Sequence, residues 1–587
     1  MPLKHNHPVI TVVMLIAFHG SVMAATQNRS PSDLSLTPDG RWAVTANTTS
    51  NTASLVDLAN SKVSTEISVG QKPMAVAVSP DGKRAVVTCW LSDSLTLLRI
   101  APPKLETIAT IAVGNEPRGV AFSADSKVVY VALSGEDAVV AVDLQQQKTV
   151  ERAVVGREPW HLALTPNGER LAVGNALSRT VTVLDAATLK PTHTVKLRGR
   201  NLRHVAVSPD GQWAYLPFVA ERGRATTERF IDRGWVIGNR ISRVPLTENG
   251  PREAIAMDTQ GKAVGDLDGL AVGPDGKQFA ITAGGTHELI LMRSSLPFVA
   301  YGGPDDHIDP ELLKDAKRFR RVPLGGRPLG VAFTPDGERV VVANYLSNAI
   351  QVVDFESAKV SATIPLGGPD KLSLARRGEA IFYDANRSFK HWYSCHSCHT
   401  DGHTNGGLFD TLNDGRYENL KKVLSLRGVT HTGPWTWHGW QNDLRASLQK
   451  SFETTMRGPA PSDEDLDALL AFLETLDFVP HLPVNAEAAQ RGVQIFRAKR
   501  CNECHKGPAF TSDEVFEVGL ESPDDEYKGF NPPSLRGVAR RTPFLHDGRA
   551  RTLADVLKVH HRPSLINGET DLNDTELADL IEYLKSI

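Results

Sequence analysis

The chain has 587 residues, enough for several domains, and its 41% of hydrophobic residues can supply an ordinary core to each of them. A net charge of −3 gives no reason to expect nucleic acid as a partner. No stretch after the N-terminal segment approaches the roughly 18 consecutive apolar residues of a membrane-spanning helix, so no permanent membrane span is expected.

The first segment has the pattern of a secretory signal. Lys4 precedes an apolar run at 9–18, and the small residue Ala24 stands where cleavage is expected. The pattern predicts a signal peptide over residues 1–24 and a periplasmic location for the rest of the chain. An uncleaved anchor is the alternative, and His19 interrupts the apolar run that either reading needs.

A repeated turn governs residues 25–367. Each copy follows a short run of alternating apolar residues and is of the type Pro-Asp-Gly, in which proline presets φ and glycine takes the left-handed position; one copy is Ala-Asp-Ser and one is Pro-Asn-Gly. Short strands in units of about 40–45 residues are typical of a β-propeller, so seven turns predict an all-β seven-bladed propeller. A β-solenoid or a sandwich is the alternative. The turns are Pro38–Gly40, Pro80–Gly82, Ala124–Ser126, Pro166–Gly168, Pro209–Gly211, Pro274–Gly276 and Pro335–Gly337.

These units resemble the YVTN-type seven-bladed propellers, most closely at 70–82 and 326–337. That family has no common catalytic residue, so the resemblance implies a fold and little chemistry. Two of the intervals between turns are longer than the others, which places extra residues at about 219–244 and 296–322. These insertions are either solvated loops or segments that cover the C-terminal domains or shape an entrance to them.

Two copies of Cys-x-x-Cys-His decide the chemistry of the C-terminal part. In a c-type cytochrome the two thiols bind the haem vinyl groups covalently, and the histidine becomes the proximal iron ligand. A disulfide or half of a zinc site is the alternative for a single copy, but two copies within one repeated framework predict two covalently bound haem c groups. The copies are Cys395, Cys398 and His399, and Cys501, Cys504 and His505.

The framework around the two motifs is duplicated. Ser425–Val429 recurs letter for letter as Ser534–Val538, and an amphipathic helix is predicted to close each copy, at 465–476 and 576–584. The pattern predicts an all-α tandem cytochrome c-like di-haem module after the propeller. Its predicted domains are 368–480 and 481–587.

This part of the chain, about 371–587, resembles the di-haem bacterial cytochrome c peroxidases and MauG. The resemblance rests on Arg-Gly-x-x-Ile-Phe in both copies, the two haem motifs, the repeated Ser-Leu-Arg-Gly-Val and Thr542–Gly548. It implies that peroxide binds at the first haem and that the second haem transfers electrons. A calcium ion between the two domains is a further family feature. Pro543 fits that site, but Arg541 stands where a threonine is expected.

Each iron has either a distal ligand or an open position. In the family the distal ligand of the second haem lies on the helix after His-Asp-Gly, and the matching residue here is His560, with His561 beside it as the alternative. The first copy has no histidine at the matching place. Met456 lies at a similar distance from its motif, so the first iron has either Met456 as its distal ligand or an open position.

The family also places a glutamate near the first haem to move protons during cleavage of the O–O bond, and the sequence has none at that place. His438, Gln441 and Glu453 are the candidate catalytic residues that could replace it. The tryptophans that lie between the motifs are candidates for an electron relay, or for packing around a porphyrin. They are Trp435, Trp437 and Trp440.

Two functions are consistent with this pattern. The first is a periplasmic di-haem oxidoreductase of the peroxidase or MauG kind. It would take electrons from a redox partner, such as a small cytochrome or a cupredoxin, and reduce hydrogen peroxide or oxidise a bound substrate. The alternative is a non-enzymatic electron-transfer cytochrome whose propeller docks a redox partner such as a dehydrogenase. Two six-coordinate irons would favour the alternative, and an open first iron would favour the enzyme.

Overall fold

The computed structural model describes residues 27–247, 250, 252–293 and 307–587. The predicted signal peptide at 1–24 lies outside the described residues, and so does the part of the second insertion that precedes residue 307. Within the described ranges, no helix has the length and apolar content needed to cross a membrane.

Seven four-stranded antiparallel sheets form the first part of the chain, and each predicted turn joins the first strand of a sheet to the second. The first strands of neighbouring sheets contact one another around a ring, which closes where the first strands of blades 1 and 7 meet. The predicted seven-bladed propeller is confirmed. Its strands are Pro31–Leu36, Trp42–Asn47, Thr52–Asp57 and Lys62–Ser68 in blade 1; Pro73–Val78, Arg84–Cys89, Ser94–Ala101 and Lys104–Ala112 in blade 2; Pro117–Phe122, Val128–Leu133, Ala138–Asp143 and Lys148–Val154 in blade 3; Pro159–Leu164, Arg170–Asn175, Thr180–Asp185 and Pro191–Lys196 in blade 4; Ala206–Val207, Trp213–Ala220, Gly238–Pro245 and Glu253–Ala256 in blade 5; Leu267–Val272, Gln278–Ala283, Glu288–Arg293 and Phe319–Pro323 in blade 6; and Pro328–Phe333, Arg339–Asn344, Ala349–Asp354 and Lys359–Pro365 in blade 7.

The core of the propeller lies between its blades. Each pair of neighbouring blades shares one cluster of buried apolar side chains. At the closing pair, Leu34 and Val56 of blade 1 pack with Val341 and Ile350 of blade 7. The middle strands of blade 1 are buried along their whole length, on both faces, and polar residues such as Thr45 and Ser54 are buried there together with the apolar ones. This packing fixes the first strand of every blade around the central axis.

The rest of the described chain consists of helices joined by loops, several of them long, and one small hairpin that pairs Leu408–Phe409 with Lys421–Lys422. The predicted all-α region is confirmed, and its closing helices are capped by Ser462 and Asn573. The α-helices and π-helical turns are Leu374–Phe382, Cys395–Cys398, Leu444–Lys450, Ser451–Thr455 and Asp463–Glu474 in the first copy, and Ala486–Ala498, Leu553–Asp555, Val556–His560, Pro563–Ile566 and Asp574–Lys585 in the second.

The repeated Arg-Gly pair has a packing role in both copies. The opening helix of each copy crosses the closing helix at this glycine. A Cβ atom on Gly378 would overlap the carbonyl oxygen of Ala468, and one on Gly492 would overlap that of Asp579. Glycine therefore lets the two helices that frame each haem motif approach backbone to backbone.

Candidate haem-binding sites

The first Cys-x-x-Cys-His motif is bonded directly to the propeller. Cys395–Cys398 forms one helical turn that is capped by Ser394. The hydroxyls of Ser394 and Ser397 each donate a 2.5 Å hydrogen bond to the buried carboxylate of Asp266, which precedes the first strand of blade 6. The propeller thus fixes the turn on which the two thiols stand.

A buried charge cluster completes this junction. Asp401, two residues after the motif histidine, accepts a 3.0 Å hydrogen bond from Arg203 and lies 3.9 Å from Arg327. Arg203 also donates to Nε2 of His396, the residue after the first cysteine, at 2.9 Å. Burial opposes ionisation of Asp401, but Arg203, His396 and Arg327 hold its pKa well below the usual range. The first motif is therefore joined to the propeller through paired, buried charges.

Both motif histidines have the tautomer and the charge state that a metal ligand needs. Nδ1 of His399 donates to the carbonyl oxygen of Leu424 at 2.9 Å, and Nδ1 of His505 donates to that of Phe510 at 3.1 Å. A carbonyl can only accept, so the proton is on Nδ1 and the lone pair of Nε2 is free for a metal. Burial lowers the pKa of each imidazole to about 4, which keeps both neutral.

The four motif cysteines are uncharged thiols in this environment. None of them forms a disulfide. Burial raises the pKa of Cys395 to about 12 and that of Cys501 to about 11, and it raises the pKa of Cys398 and Cys504 as well. Each pair is therefore available for thioether formation rather than engaged with its neighbour.

A cavity of about 380 Å³ lies beside the second motif. This volume falls in the range of cofactor sites, and most of the lining is apolar, with Phe496, Phe530 and Leu580 among its side chains. Two buried basic groups, Lys422 and Arg541, also line it. Burial lowers the pKa of Lys422 to about 7 and that of Arg541 to about 10, so each would be stabilised by an anionic group. An apolar cavity with thiols, a free imidazole and buried cations fits a haem and its two carboxylates.

His561, rather than His560, lines this cavity with His505. Burial, with a contribution from nearby His505, lowers the pKa of His561 to about 4. Within the described ranges its ring makes no hydrogen bond, and its Nδ1 is buried without a partner. His560 instead lies near Asp555 on the outer side of the helix, where it contributes to a lowered pKa of that carboxylate. The sequence prediction placed His560 at the iron, with His561 as the alternative; of the two, the structure places only His561 at the cavity.

Met456 occupies the corresponding place in the first copy. It is 3% exposed and belongs to an apolar cluster that Cys395 and Cys398 also contact. Met456 and His561 each follow a five-residue π-helical turn, and the backbone N–H of each bonds to the carbonyl five residues earlier. Such turns are frequent at functional sites because they redirect the next side chain. The two candidate distal ligands are therefore equivalent in the duplicated fold.

The three candidate catalytic residues do not meet at the first motif. Glu453 is exposed, and its carboxylate accepts a hydrogen bond from the side-chain amide of Gln449 on the helix surface. Gln441 pairs its backbone with Trp435. His438 is buried against the second domain, where its Nδ1 donates to the carbonyl oxygen of Gly529 at 2.8 Å. Their contacts therefore place the three residues apart from one another rather than at one site.

A buried ionic cluster joins the two helical domains. The carboxylate of Asp525 is paired with Lys421 and lies 3.1 Å from Nε2 of His546 and 3.7 Å from Nε2 of His438. Nearby, Trp437 lines the second cavity and donates to the carbonyl oxygen of Lys422 at 2.8 Å. In the described part of the chain, no group of three acidic, histidine or cysteine side chains could hold a metal ion.

Both insertions cover the first helical domain, which favours the second of the two alternatives stated for them. Ile231, in the short helix Glu228–Asp232 of the first insertion, is 1% exposed and packs in the same cluster as Met456. From the second insertion, His307 donates to the carbonyl oxygen of Asp232 at 2.7 Å, and its ring lies 6.0 Å from that of Trp392. The propeller therefore supplies one wall of the first site.

Several of these contributors were not found from the sequence. The basic residues Lys422 and Arg541 and the acidic Asp525 meet only because the two copies pack against each other, and nothing in the local pattern marks them. His561 had a usable signal, because its distance along the chain from His505 matches the distance from His399 to Met456 more closely than that of His560 does.

Family models match three segments of the chain. Residues 59–152 match the model "Lactonase, 7-bladed beta-propeller", residues 120–242 match "YNCE-like beta-propeller", and residues 489–587 match "Cytochrome c". The hydrazine synthase structure from Kuenenia stuttgartiensis aligns with 58% of this chain and 99% of the compared chain, with a TM-score of 0.51 and 25% identity.

Similar curated proteins match smaller shares of the chain. The gamma subunit of hydrazine synthase from Kuenenia stuttgartiensis is 28% identical over 37% of this chain and 79% of its own length. MauG of Methylophilus methylotrophus is 24% identical over 39% of this chain and 86% of its own length. The cytochrome c551 peroxidase of Nitrosomonas europaea is 23% identical over 46% of this chain and 92% of its own length.

The chain is thus a c-type cytochrome with covalent haem c, built as a seven-bladed β-propeller joined to a helical cytochrome c region, and it is distantly related to MauG, cytochrome c peroxidase and hydrazine synthase.

Proposed function

We propose that the chain is a periplasmic oxidoreductase with two covalently bound haem c groups, through which electrons pass between a redox partner and a substrate or a second partner. The observation that carries this proposal is the equivalence of Met456 and His561. Each follows a π-helical turn in its own copy and lies among the residues around its haem motif. Each copy therefore offers a proximal and a distal ligand to its iron.

The two ligand pairs differ in their chemistry. His399 and Met456 would hold the first iron, and His505 and His561 would hold the second. A bis-histidine haem usually has a lower reduction potential than a histidine–methionine haem. Electrons would therefore pass from the second haem to the first, toward the propeller. The neutral state of both proximal histidines supports this assignment, since only neutral imidazole binds iron.

Reduction of hydrogen peroxide at the first haem is the second candidate function. The similarity to MauG and to a cytochrome c551 peroxidase favours it. It requires that Met456 leave the iron and that a nearby group deliver protons. The cluster around Met456 is apolar, and Glu453 points to solvent, so electron transfer with a closed first site fits the described residues better.

Spin-state spectroscopy of the haem-loaded protein tests the proposal. We expect two low-spin ferric signals in electron paramagnetic resonance and no high-spin fraction. Met456→Leu, which nearly preserves volume, should convert one signal to high spin. Met292→Leu is the matched control, because Met292 is equally buried but lies in the propeller core. A high-spin signal in the unmodified protein, together with rapid reoxidation of the reduced protein by peroxide, would instead establish the peroxidase.

A further inference from the structure

The axis of the propeller contains a cavity of about 600 Å³ that neither haem motif uses. Its wall comes from the first strands of the blades, with Arg118, Trp160 and Asp268 at corresponding strand positions. The first helical domain closes one end, where Tyr383 and Asp401 line the cavity. The cavity is therefore enclosed jointly by the propeller and the domain that carries the first motif.

One side of this cavity has an excess of positive charge. Lys72, Arg118 and Arg427 surround the ring of Trp90, with their charged groups 5.8, 5.1 and 5.7 Å from its centroid. Among the described residues, no carboxylate lies within 4.0 Å of any of these three groups. Lys72 lies at the exposed rim of the cavity, where the surrounding protein and the neighbouring Arg427 lower its pKa, as expected for crowded cations.

Of the carboxylates near this side, Asp401 and Glu379 are already paired, and Glu158, which acts electrostatically on Arg118, has its pKa raised to about 7 by burial. Asp401 is bonded to Arg203 at 3.0 Å, and Glu379 is bonded to Arg376 at 2.7 Å. They therefore do not neutralise the three cations around Trp90, and an anionic group from outside the chain would be stabilised there.

The opposite side of the cavity contains carboxylates that form no ion pair. Asp268, from blade 6, makes no hydrogen bond and no ion pair within 4.0 Å with any described residue; burial raises its pKa, and the more distant Arg203 and Arg327 oppose this shift. Asp33, from blade 1, also faces the cavity; it accepts hydrogen bonds from the N–H groups of Leu34 and Val76 but forms no ion pair, and burial raises its pKa to about 7, with Asp268 adding to the shift. Tyr383 is 7% exposed, and its hydroxyl has no hydrogen-bond partner among the described residues. Unpaired buried polar groups of this kind are costly unless something from outside satisfies them.

We propose that the axial cavity is a binding site for a small zwitterion, a molecule with one carboxylate and one ammonium group. The carboxylate lies among Lys72, Arg118 and Arg427, and the ammonium lies at Asp268. In a ring of seven blades, blades 2 and 3 stand across the axis from blade 6, so the two charges are separated across the lumen. An anion alone would leave Asp268 unpaired, and a cation alone would leave the three basic groups unpaired.

The site is adjacent to the first haem motif. The ring of Tyr383 lies 4.8 Å from that of His396, which stands between Cys395 and Cys398. A single layer of residues would therefore separate an occupant of the cavity from the first thioether site. Binding itself does not depend on the ligands of either iron, so this inference stands or falls separately from the proposed electron transfer.

Isothermal titration calorimetry on the full-length, haem-loaded protein tests the site. The probes are ω-amino acids of two to eight carbons, each compared with the carboxylic acid and the primary amine of the same length; 6-aminohexanoate, hexanoate and hexylamine are one such set. We expect at least one amino acid to bind ten or more times tighter than both of its matched analogues. Absence of binding by every amino acid would overturn the proposal, and so would equal binding by an acid or an amine.

Two variants locate the charges. Asp268→Asn should reduce binding of the amino acid to the level of the matched acid, and the isosteric change breaks no hydrogen bond. Lys72→Gln, at the exposed rim, should weaken it about tenfold and keep the fold. Lys127→Gln, an exposed residue on blade 3 outside the cavity, is the matched control and should bind as the unmodified protein does. If both cavity variants bind the amino acid normally, the site is not the one described.

Discussion

The position of the second distal ligand depends on a single residue of helical register. Counting along a regular α-helix from the His-Asp-Gly turn reaches His560. In the structure the helix widens into a π-helical turn at Val556–His560, and the N–H of His561 bonds to the carbonyl oxygen of Val556. The wider turn rotates the next side chain by part of a turn, so His561 enters the cavity and His560 faces outward.

Replacing each histidine in turn tests this register. His561→Ala should open the second iron, so that the reduced protein binds carbon monoxide and the ferric protein gains a high-spin signal. His560→Ala is the matched control, because it removes the same side chain one residue away. We expect its spectra to match those of the unmodified protein. The opposite result, with a change only in His560→Ala, would restore the sequence-based assignment.

The sequence predicts the proximal ligands by position, but it does not predict the position of the distal ligands. The proximal pair, His399 and His505, is predicted because covalent attachment requires a fixed local spacing of cysteines and histidine. The distal pair depends on where a π-helical turn forms, and neither π-turn sequence, Ser451–Thr455 nor Val556–His560, carries a local signal for it.

At the scale of elements, the short helix Glu228–Asp232 shows how an insertion in the propeller becomes part of the first site. Its Ile231 packs beside Phe452 and Met456, and Arg457 donates to the carbonyl oxygen of Thr226 at 2.8 Å. The length of the insertion was visible in the sequence as a break in the repeat. What it covers was not, because that depends on how the helical domain docks on the ring.

Truncating the buried side chain of this helix tests the role of the insertion. Ile231→Ala should lower the free energy of unfolding by about 2–4 kcal/mol, since it leaves a cavity in a shared core. The variant should also change the absorption spectrum of the first haem, because Ile231 packs with Met456 on the distal side of that site. Leu313→Ala, in the second insertion, is the control. That side chain is 48% exposed, and we expect a change of no more than about 0.5 kcal/mol in urea-induced unfolding.

Normal stability of the Ile231→Ala variant with an unchanged haem spectrum would contradict the packing described here. Reduced stability with an unchanged spectrum would place the helix in the fold but not at the haem. The two readouts therefore separate a structural contribution of the insertion from its contribution to the first site.

At the scale of the whole molecule, both helical domains are bonded to the propeller. Asn201 donates to the carbonyl oxygen of Ser397 at 2.9 Å, and the N–H of Ala385 donates to that of Gly285 at 2.8 Å. The second domain is anchored where Arg157 donates to the carbonyl oxygen of Ala539 at 3.1 Å. The sequence predicted each module separately, but residues such as these look ordinary until the modules are placed together.

The charge cluster around Asp401 allows this joint to be tested by pH. Its pKa is depressed in the folded protein relative to about 3.9 in an unfolded chain. A carboxylate with a depressed pKa adds stability that is fully present well above pH 4 and is lost as the pH falls below that value. Asp401→Asn removes this contribution and leaves Arg203 without its charge partner. At pH 7 we expect a loss of about 2–3 kcal/mol, less than for a fully enclosed pair because the side chain borders the axial cavity.

The loss should be visible in both modules at once, because Asp401 belongs to one and Arg203 to the other. Thermal unfolding followed by haem absorbance and by far-ultraviolet circular dichroism should give coincident transitions, and Asp401→Asn should shift both downward together. The difference from the unmodified protein should shrink as the pH is lowered below about 4, where the unfolded chain binds the proton first, and it should be smallest below the depressed pKa of the folded state, where Asp401 is protonated in both states. Asp467→Asn, which removes a surface partner of Arg445, should change stability by less than about 1 kcal/mol at any pH. Two separate transitions, with only the haem signal moving in Asp401→Asn, would mean that the modules unfold independently and that the buried charges do not couple them.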